Sequence, residues 1–368
     1  MTRVLIAPER FYPTMKAQAV AQAMVRGLQS VSNEWEYVVC PMASGGSGTT
    51  ELAVRMARGR LYHEAITIGP RRTRDVRWGL LPDGTAIFDA REALGDPDGP
   101  SQLNQAYMDS RPLGQMIQRL LTRRPARIVI ALGDVLAADG GMGLLQDFGV
   151  KACDADNDRL ESGTRHLLRI HHVDFTELTP PQVPIIALTD QWVTWNERVQ
   201  QDDFRLDLIH GGLHVAAERF RDLLADHIRV PLGEVEGTGV GGGLGMALAF
   251  LGAQFQFGAD YLAHLGGLQS KIWEVDWVMT GARALGPGSV AQTVGIVARY
   301  ARDAGVPAVA LTTELHHGHT ELLDLGLTGI YPVLDRPRNF KELHRGLPAL
   351  IEHAAFRVGY WLQALSEP

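Results

Sequence analysis

The fold is decided near the start of the chain, where residues 4–59 read VLIAPERFYPTMKAQAVAQAMVRGLQSVSNEWEYVVCPMASGGSGTTELAVRMARG. A short apolar run, VLIAP, precedes a segment whose apolar residues recur at helical spacing. A second apolar run, YVVCPM, leads through a glycine-rich turn into another helical pattern. Strands that alternate with helices in this way are typical of a parallel sheet covered by helices. The stretch therefore predicts an α/β fold.

Beyond residue 59 the alternation of strands and helices is interrupted, and it resumes in the C-terminal third of the chain. Residues around the Asp83-Gly84 turn read as antiparallel hairpin strands. Further apolar strands follow, and the C-terminal third resumes a regular alternation of strands and helices. We predict two α/β domains. Residues 1–72 and 275–368 form a Rossmann-like, parallel, doubly wound sheet, and residues 73–274 form an inserted, mixed α/β domain.

The composition excludes several classes of protein. In 368 residues the 35 Lys and Arg are outnumbered by 42 Asp and Glu, and the formal net charge is -7. With no long basic run, a nucleic-acid partner is not expected. No segment approaches the roughly 20 apolar residues of a membrane helix, so no membrane partner is expected either. The N-terminus lacks the apolar stretch of a signal peptide, and we expect a cytoplasmic protein, monomeric or homodimeric.

Two glycine-rich segments precede predicted helices. One is SGGSGTT, and the other, residues 237–245, has six glycines in nine residues. Glycines at a helix N-terminus expose backbone N–H groups that can bind phosphate. The alternative for the first segment is a simple turn before a capped helix, and for the second both interpretations stay open. The glycines that we select are Gly45, Gly46, Gly48, Gly242 and Gly243.

Polar residues follow three predicted strands of the buried type. Asp139 and Asp190 each come after such a strand, and Thr280 and Gly281 follow a strand expected to end at Met279. Ligands of open parallel sheets bind at the carboxyl ends of strands, where a carboxylate can hold Mg²⁺ or act as a base. The alternative for each aspartate is that it caps a loop.

Familiar ligand-binding motifs are missing from the chain. It contains no Gly-Lys pair, which excludes a Walker motif, and no GxGxxG follows the first strand. The sequence HHGH, which contains His316, His317 and His319, offers imidazole ligands for a metal. Its spacing fits no usual zinc pattern, so a histidine-rich surface loop is the preferred interpretation.

Six segments spread along the chain read like the motifs of one family. VLIAPERF is similar to the opening IAPDSFKG, CPMASGGSGTTE to PMADGGEGT, and ALGDVLAADGGMGLLQDFG to GGSATNDGGAGMLQALG. IIALTD resembles a strand ending in VACDV, GTGVGGGLG resembles GAAGGLG, and WEVDWVMTG resembles DADLVITG. Because the agreement is collinear over most of the chain, the protein resembles the bacterial glycerate kinase family of the two-domain type.

The resemblance implies transfer of the γ-phosphoryl group of ATP, with Mg²⁺, to a hydroxyl of D-glycerate or a related small hydroxy acid. Asp190 matches the family's strand-end aspartate, which makes it the implied catalytic base and Mg²⁺ ligand. Asp139 matches the aspartate of the NDGG motif and is the second catalytic candidate. The implied substrate- and phosphate-binding residues are Glu9, Arg10, Gly45, Gly46, Gly48, Gly242, Gly243, Thr280, Gly281 and Arg283.

Several charged residues of the family motifs are replaced. The motif Asp-Ser-x-Lys is here Glu9-Arg10-Phe11-Tyr12, so its lysine is missing, and the aspartate and glutamate of PMADGGEGT are Ser44 and Ser47. The TGEGRxD motif has lost its glutamate and its final aspartate. Arg10 and Arg283 are candidates to replace the missing cations, because they lie in the matching motifs.

These losses leave two alternatives open. One is a catalytically degenerate member of the family, which binds a small acid or nucleotide without turnover, since each lost charge lowers transition-state stabilisation. The other is a kinase for a different acceptor, because Tyr12, Trp192 and Trp195 would make the site more apolar.

Overall fold

The structure is a computed structural model that describes residues 1–69, 71–95, 108–135, 137, 139–200 and 213–366. The chain divides into two compact units. The first unit consists of Met1–Ser44 and Phe257–Pro368, and the second unit is Gly45–Gln256. The predicted divisions lie at 72/73 and 274/275 instead. The first of them differs because residues 60–69 pair along their length with residues 72–80 and so belong to the inserted unit.

The elements are as follows, in chain order. The strands are β1 (Arg3–Pro8), β2 (Glu36–Val39), β3 (Arg60–Gly69), β4 (Arg72–Leu80), β5 (Thr85–Asp89), β6 (Arg127–Ala131), β7 (Lys151–Cys153), β8 (His172–Asp174), β9 (Ile185–Thr189), β10 (Gln254–Phe257), β11 (Trp277–Leu285), β12 (Ala308–Leu315) and β13 (Leu327–Pro332). The α-helices are α1 (Ala17–Gln29), α2 (Thr49–Ala57), α3 (Ala90–Leu94), α4 (Arg111–Leu121), α5 (Met142–Gln146), α6 (Thr164–Leu167), α7 (Trp195–Gln200), α8 (Leu213–Ile228), α9 (Leu244–Phe250), α10 (Gly258–Leu265), α11 (Leu268–Ile272), α12 (Thr293–Ala304), α13 (Glu321–Asp324) and α14 (Phe340–Ser366). Short 3-10 helices lie at Leu232–Glu234, Val240–Gly243 and Pro287–Val290.

The first unit is built on a five-stranded parallel sheet in the order β13-β12-β11-β1-β2. Helix α1 forms because its apolar residues recur at helical spacing, and this face is the one that the unit buries. The core combines residues of β1, α1, β11, β12 and α14. Among them are Val4, Ile6, Met24, Met279, Leu311 and Ile351. The predicted parallel α/β sheet is confirmed.

Strand β11 extends further at its carboxyl end than the sequence predicts. It pairs with β12 as far as Leu285, which lies opposite Leu315. The prediction that this strand ends at Met279 is therefore wrong, and Thr280 and Gly281 lie inside the strand. The physical reason is that β12 continues beside β11 and offers it a hydrogen-bonding partner for these extra residues.

The second unit contains a six-stranded sheet in the order β10-β9-β6-β5-β4-β3. Strands β3, β4 and β5 form an antiparallel meander, and β5, β6 and β9 run parallel. The predicted mixed sheet is confirmed. All five residues of β5 are buried, as expected for a strand covered on both faces. Within the described residues, no helix combines the length and apolar character that crossing a membrane requires.

Candidate functional site

The carboxyl ends of β1 and β11 lie side by side in the first unit. The backbone N–H of Glu9 donates to the carbonyl of Gly281 at 2.8 Å, and Thr280 Oγ1 donates to the carbonyl of Ala7 at 2.7 Å. A Cβ on Gly281 would lie 2.4 Å from the Leu311 carbonyl oxygen, so the close strand packing requires glycine there. These contacts give Thr280 and Gly281 a structural role, and their predicted binding of phosphate stays a prediction.

Glu9 is joined to the start of α12 through a buried serine. Ser44 Oγ lies 2.6 Å from Glu9 Oε2, and the backbone N–H of Thr293 donates to Ser44 Oγ at 3.0 Å. Thr293 Oγ1 is 3.2 Å from the same serine oxygen. Ser44 and Thr293 are buried, whereas Glu9 is only half-buried. The side chain of Ser44 thus caps α12 and contacts a carboxylate at the sheet edge.

Arg283 belongs to a charged cluster at the same edge. Its guanidinium donates to Glu314 Oε2 at 2.8 Å and lies 5.8 Å from the ring centroid of Tyr12. Tyr12 Oη donates to the other oxygen of Glu314 at 3.1 Å, and burial raises the pKa of this phenol. Glu314 therefore joins the arginine to the tyrosine that stands at the family's lysine position. Arg10 follows Glu9 directly and is half-buried.

In the second unit, the glycine-rich loop before α2 is bonded to a buried aspartate. Asp89 Oδ2 accepts from the backbone N–H of Gly48 at 2.7 Å. Asp89 Oδ1 accepts from the N–H of Thr50 at 3.0 Å and from Thr50 Oγ1 at 2.7 Å. Burial raises the pKa of Asp89. The carboxylate occupies the place at the start of α2 that the phosphate interpretation would give to a ligand.

Asp89 is not among the predicted site residues, although the sequence carries a signal for it. The segment TAIFDA is a buried strand that ends on an aspartate, the same pattern that singled out Asp190 in IIALTD. In the loop before α2, the backbone of Gly45 and Gly46 packs against Gly133. The carbonyl of Gly45 accepts from Gly133, and a Cβ on Gly133 would lie 2.9 Å from the Cα of Gly46.

Asp139 is completely buried and acts as an acceptor for the starts of two helices. Its Oδ2 accepts from the N–H of Ser110 at 2.9 Å, from Ser110 Oγ at 2.8 Å and from the N–H of Gly143 at 3.1 Å. Its Oδ1 accepts from the N–H of Gly141 at 3.0 Å. Burial, with the negative charge of Asp109, raises the pKa of Asp139 to about 6. Its predicted catalytic role stays a prediction, and its contacts are those of a capping residue.

Asp190 lies in a more open position, directly after β9, and is half-buried. Thr189 shapes the turn there, because its Oγ1 donates to the carbonyl of Gln191 and accepts from the N–H of the same residue. Trp192 is 40% exposed, whereas Trp195 is fully buried in the core. The expectation that Trp195 helps to make the site apolar is therefore wrong, since its ring packs inside the unit.

The glycines of residues 237–245 are close to the backbone of their own unit. Gly242 and Gly243 have φ of 67° and 102°, in the left-handed region that favours glycine. A Cβ on Gly243 would lie 2.7 Å from the Cα of Gly140. One on Gly245 would lie 2.0 Å from the Gly237 carbonyl oxygen. These glycines thus allow other parts of the protein's own backbone to approach closely. Ligand binding by this segment stays a prediction.

The residues present fit Mg²⁺ only in part. Magnesium in phosphate-transfer sites is usually held by one or two carboxylates together with phosphates and water. Asp190 suits such a site by its exposure, whereas both oxygens of Asp139 are engaged by four donors. Across the described ranges, no group of three His, Cys, Asp or Glu side chains could hold a metal, and this includes His316, His317 and His319.

The comparisons with known proteins agree with this fold. The model of the glycerate kinase family matches residues 4–193 and 210–363. The glycerate 2-kinase of Escherichia coli (strain K12) is 27% identical over 94% of this chain and 93% of that protein. The glycerate kinase of Neisseria meningitidis serogroup B is 24% identical over 98% of each. A crystal structure from Salmonella typhimurium LT2, described as a glycerate kinase 2, covers both chains completely with a TM-score of 0.79 and 23% identity. Because the family model matches nearly the whole chain, the protein belongs to the glycerate kinase family.

Proposed function

We propose that this protein is an ATP-dependent phosphotransferase that phosphorylates D-glycerate or a related small hydroxy acid. The observation that carries the proposal is the family match over nearly the whole chain. It is supported by the half-buried position of Asp190 directly after β9, at the strand end where its sequence resembles the family motif. Relatives named glycerate kinases match end to end at 21–27% identity, which supports the reaction type more than the identity of the acceptor. The proposal also includes that the substrate is a small molecule, that the protein acts in the cytoplasm, and that it is a monomer or a homodimer.

The proposed roles follow from the chemistry of the side chains. Asp190 accepts the proton of the attacking hydroxyl, because a half-buried carboxylate at a strand end can reach solvent-borne substrate. Arg283 and Arg10 attract the carboxylate of the acid or a phosphate group, since guanidinium groups bind both. Mg²⁺, for which Asp190 is the candidate protein ligand, would neutralise charge on the phosphates of ATP when bound.

The first experiment measures ADP release with MgATP, D-glycerate and a small panel of hydroxy acids. Wild-type protein should turn over D-glycerate or one relative, and Asp190→Asn should lower kcat by about 10²- to 10⁴-fold. Asp158→Asn is the matched control, because Asp158 is an exposed aspartate of the same unit. Equal activity of wild type and Asp190→Asn would remove Asp190 from the mechanism.

A second candidate function is binding without turnover. It is favoured by a specific observation, because candidate ligand-binding groups of each unit already have partners within that unit. Arg283 is paired with Glu314, and the amides of Gly48 and Thr50 are bonded to Asp89. Thermal stabilisation by ATP or by an acid, with no ADP release from any acid of the panel, would establish this second function and reject the first.

A further inference from the structure

Strand β3 is an edge strand of the six-stranded sheet, and much of it is exposed. On one side it pairs with β4, and no strand of the described residues pairs with its other side. Residues 60–63 are all exposed, among them Leu61 at 44% and Tyr62 at 38%. Native edge strands are usually short or covered, whereas β3 is 10 residues long. Such an edge offers backbone groups and apolar side chains to another strand.

The outer edge of β3 presents the backbone groups of every second residue. Thr67 N–H donates to the side chain of Gln115 at 2.9 Å, so it points away from β4. The ladder between β3 and β4 has no irregularity before Thr67, and N–H groups along it alternate between bonding β4 and facing away from it. The N–H groups of Leu61, His63 and Ala65 therefore share the outward direction. These are the groups that a further strand would bond.

Two copies of β3 fit together in antiparallel orientation about a two-fold axis at Tyr62. Leu61 would then lie opposite His63 of the second copy, and the two residues would exchange N–H···O bonds through their outward groups. The two-fold axis repeats this pair on its other side. The backbone of the outer edge is thus complementary to itself.

The side chains agree with this register. Arg60 would lie opposite Glu64 of the second copy, so opposite charges meet on both sides of the axis, whereas an axis at Glu64 would oppose two carboxylates. Arg123 donates to Glu64 Oε2 at 3.1 Å, and Oε1 is the oxygen that would accept from Arg60. Tyr62 would meet its own copy at the axis, and its ring already stacks on Trp78 with centroids 5.0 Å apart. Two stacked pairs would therefore form one aromatic row across the joined sheet.

We propose that a second copy of this chain occupies this edge, and that β3 pairs with β3 of that copy about a two-fold axis at Tyr62. A second copy fits because the edge matches itself in backbone direction, in charge and in its aromatic side chain. The inference selects the homodimer from the two states named in the proposed function and adds its interface, and it holds whether or not the protein turns over an acid. The paired segment is short, so the dimer should dissociate on dilution.

Sedimentation velocity of the full chain from about 2 µM to about 200 µM tests the dimer. Wild-type protein should shift from monomer to dimer over this range. His63→Pro removes an outward N–H without touching the ladder to β4, and Arg60→Glu brings like charges together, so each should weaken dimerisation at least about tenfold. His63→Ala keeps the N–H, and Arg159→Glu makes the same charge change at an exposed arginine of the same unit, so both controls should dimerise like wild type.

Disulfide cross-linking tests the register. In Tyr62→Cys the two new thiols would face each other at the axis, within disulfide reach, so oxidation should give a covalent dimer. Ala65→Cys is the control, because this exposed position lies roughly 20 Å from its copy in the same register. The native Cys40 and Cys153 are buried.

Three results would overturn the inference. The first is a wild-type protein that stays monomeric at about 200 µM. The second is a dimer that His63→Pro and Arg60→Glu leave unchanged, which would place the interface on another face. The third is a covalent dimer that forms in Ala65→Cys as readily as in Tyr62→Cys. If His63→Pro does not fold, Arg60→Glu and the cross-link decide.

Discussion

Buried and half-buried carboxylates in this protein differ in what their oxygens contact. Asp139 and Asp89 each accept hydrogen bonds from backbone N–H groups at helix starts, which compensates for the removal of charge from water. Asp147, at the end of α5, lacks this compensation. Its Oδ2 contacts no hydrogen-bond donor among the described residues, and its Oδ1 lies 3.8 Å from Arg111 Nε. Of these three carboxylates, Asp147 therefore has the fewest hydrogen-bond donors at its oxygens.

The pH dependence of Asp147 gives the prediction at the scale of one residue. Burial raises its pKa from 3.8 to about 6, so the folded protein favours the neutral carboxyl. The stability that this group contributes is present below about pH 4 and is lost as the pH rises through 6. Asp147→Asn, which stays neutral, should match wild type near pH 4 and exceed it by about 3 kcal/mol at pH 8.

Urea unfolding at pH 4.5 and pH 8 measures this difference. Asp158→Asn, an exposed aspartate of the same unit, serves as the control. If Asp147→Asn loses stability relative to wild type as the pH rises, the assignment of a raised pKa is wrong.

At the scale of elements, the loop before α2 and the loop after β6 lie with their backbones in contact. The N–H of Gly133 donates to the carbonyl of Gly45 at 2.8 Å, and Ser47 N–H lies 3.4 Å from Asp134 Oδ2. Asp134 itself has φ of 62°, an uncommon conformation for a residue with a side chain. Two glycines facing each other, Gly46 and Gly133, make this approach possible.

Substitution of Gly133 tests this backbone contact. In Gly133→Ala the new Cβ would lie 2.9 Å from the backbone nitrogen and Cα of Gly46, so one of the two loops must move. We expect a loss of about 1–3 kcal/mol in the free energy of unfolding. Gly288→Ala is the control, because no atom lies within 4 Å of its Cβ position, and it should change stability by less than about 0.5 kcal/mol. Equal effects of the two substitutions would contradict the packing argument.

At the scale of the whole molecule, each compact unit has a hydrophobic core of its own. The core around Phe88, Ile130 and Leu244 lies entirely within residues 45–256. The core around Ile6 and Ile351 combines the N-terminal and C-terminal segments of the first unit. A unit with its own core is able to fold independently.

Expression of residues 45–256 alone tests this independence. We expect the fragment to show α/β circular dichroism and one cooperative thermal transition, because both its sheet and its core are contained in it. Residues 1–44 alone are the control, because β1 and β2 then lack β11 and the helix α14, and this fragment should remain unfolded. A fragment 45–256 without a cooperative transition would show that its core depends on the rest of the chain.

The α/β class of the fold and the family are both predictable from the amino-acid sequence alone. Alternation of apolar strands with helices is a local pattern, and so is the helical spacing of apolar residues in α1, which the structure buries. The collinear motifs indicated the glycerate kinase family, and the family model confirms this membership. The strand end at Met279 was misplaced because a strand continues as long as its neighbour offers a partner, which local sequence does not show.

The contacts of the predicted site residues, in contrast, depend on how the whole chain folds. Asp139 and Asp190 have the same sequence pattern, yet the first accepts from four donors in the core and the second is half-buried at a strand end. Asp89 contacts Gly48, which lies 41 residues away in the chain. Periodicity reports which face of an element is buried. Hydrogen-bond partners that are far apart in sequence are set by the packing of whole elements, and so only the folded chain identifies them.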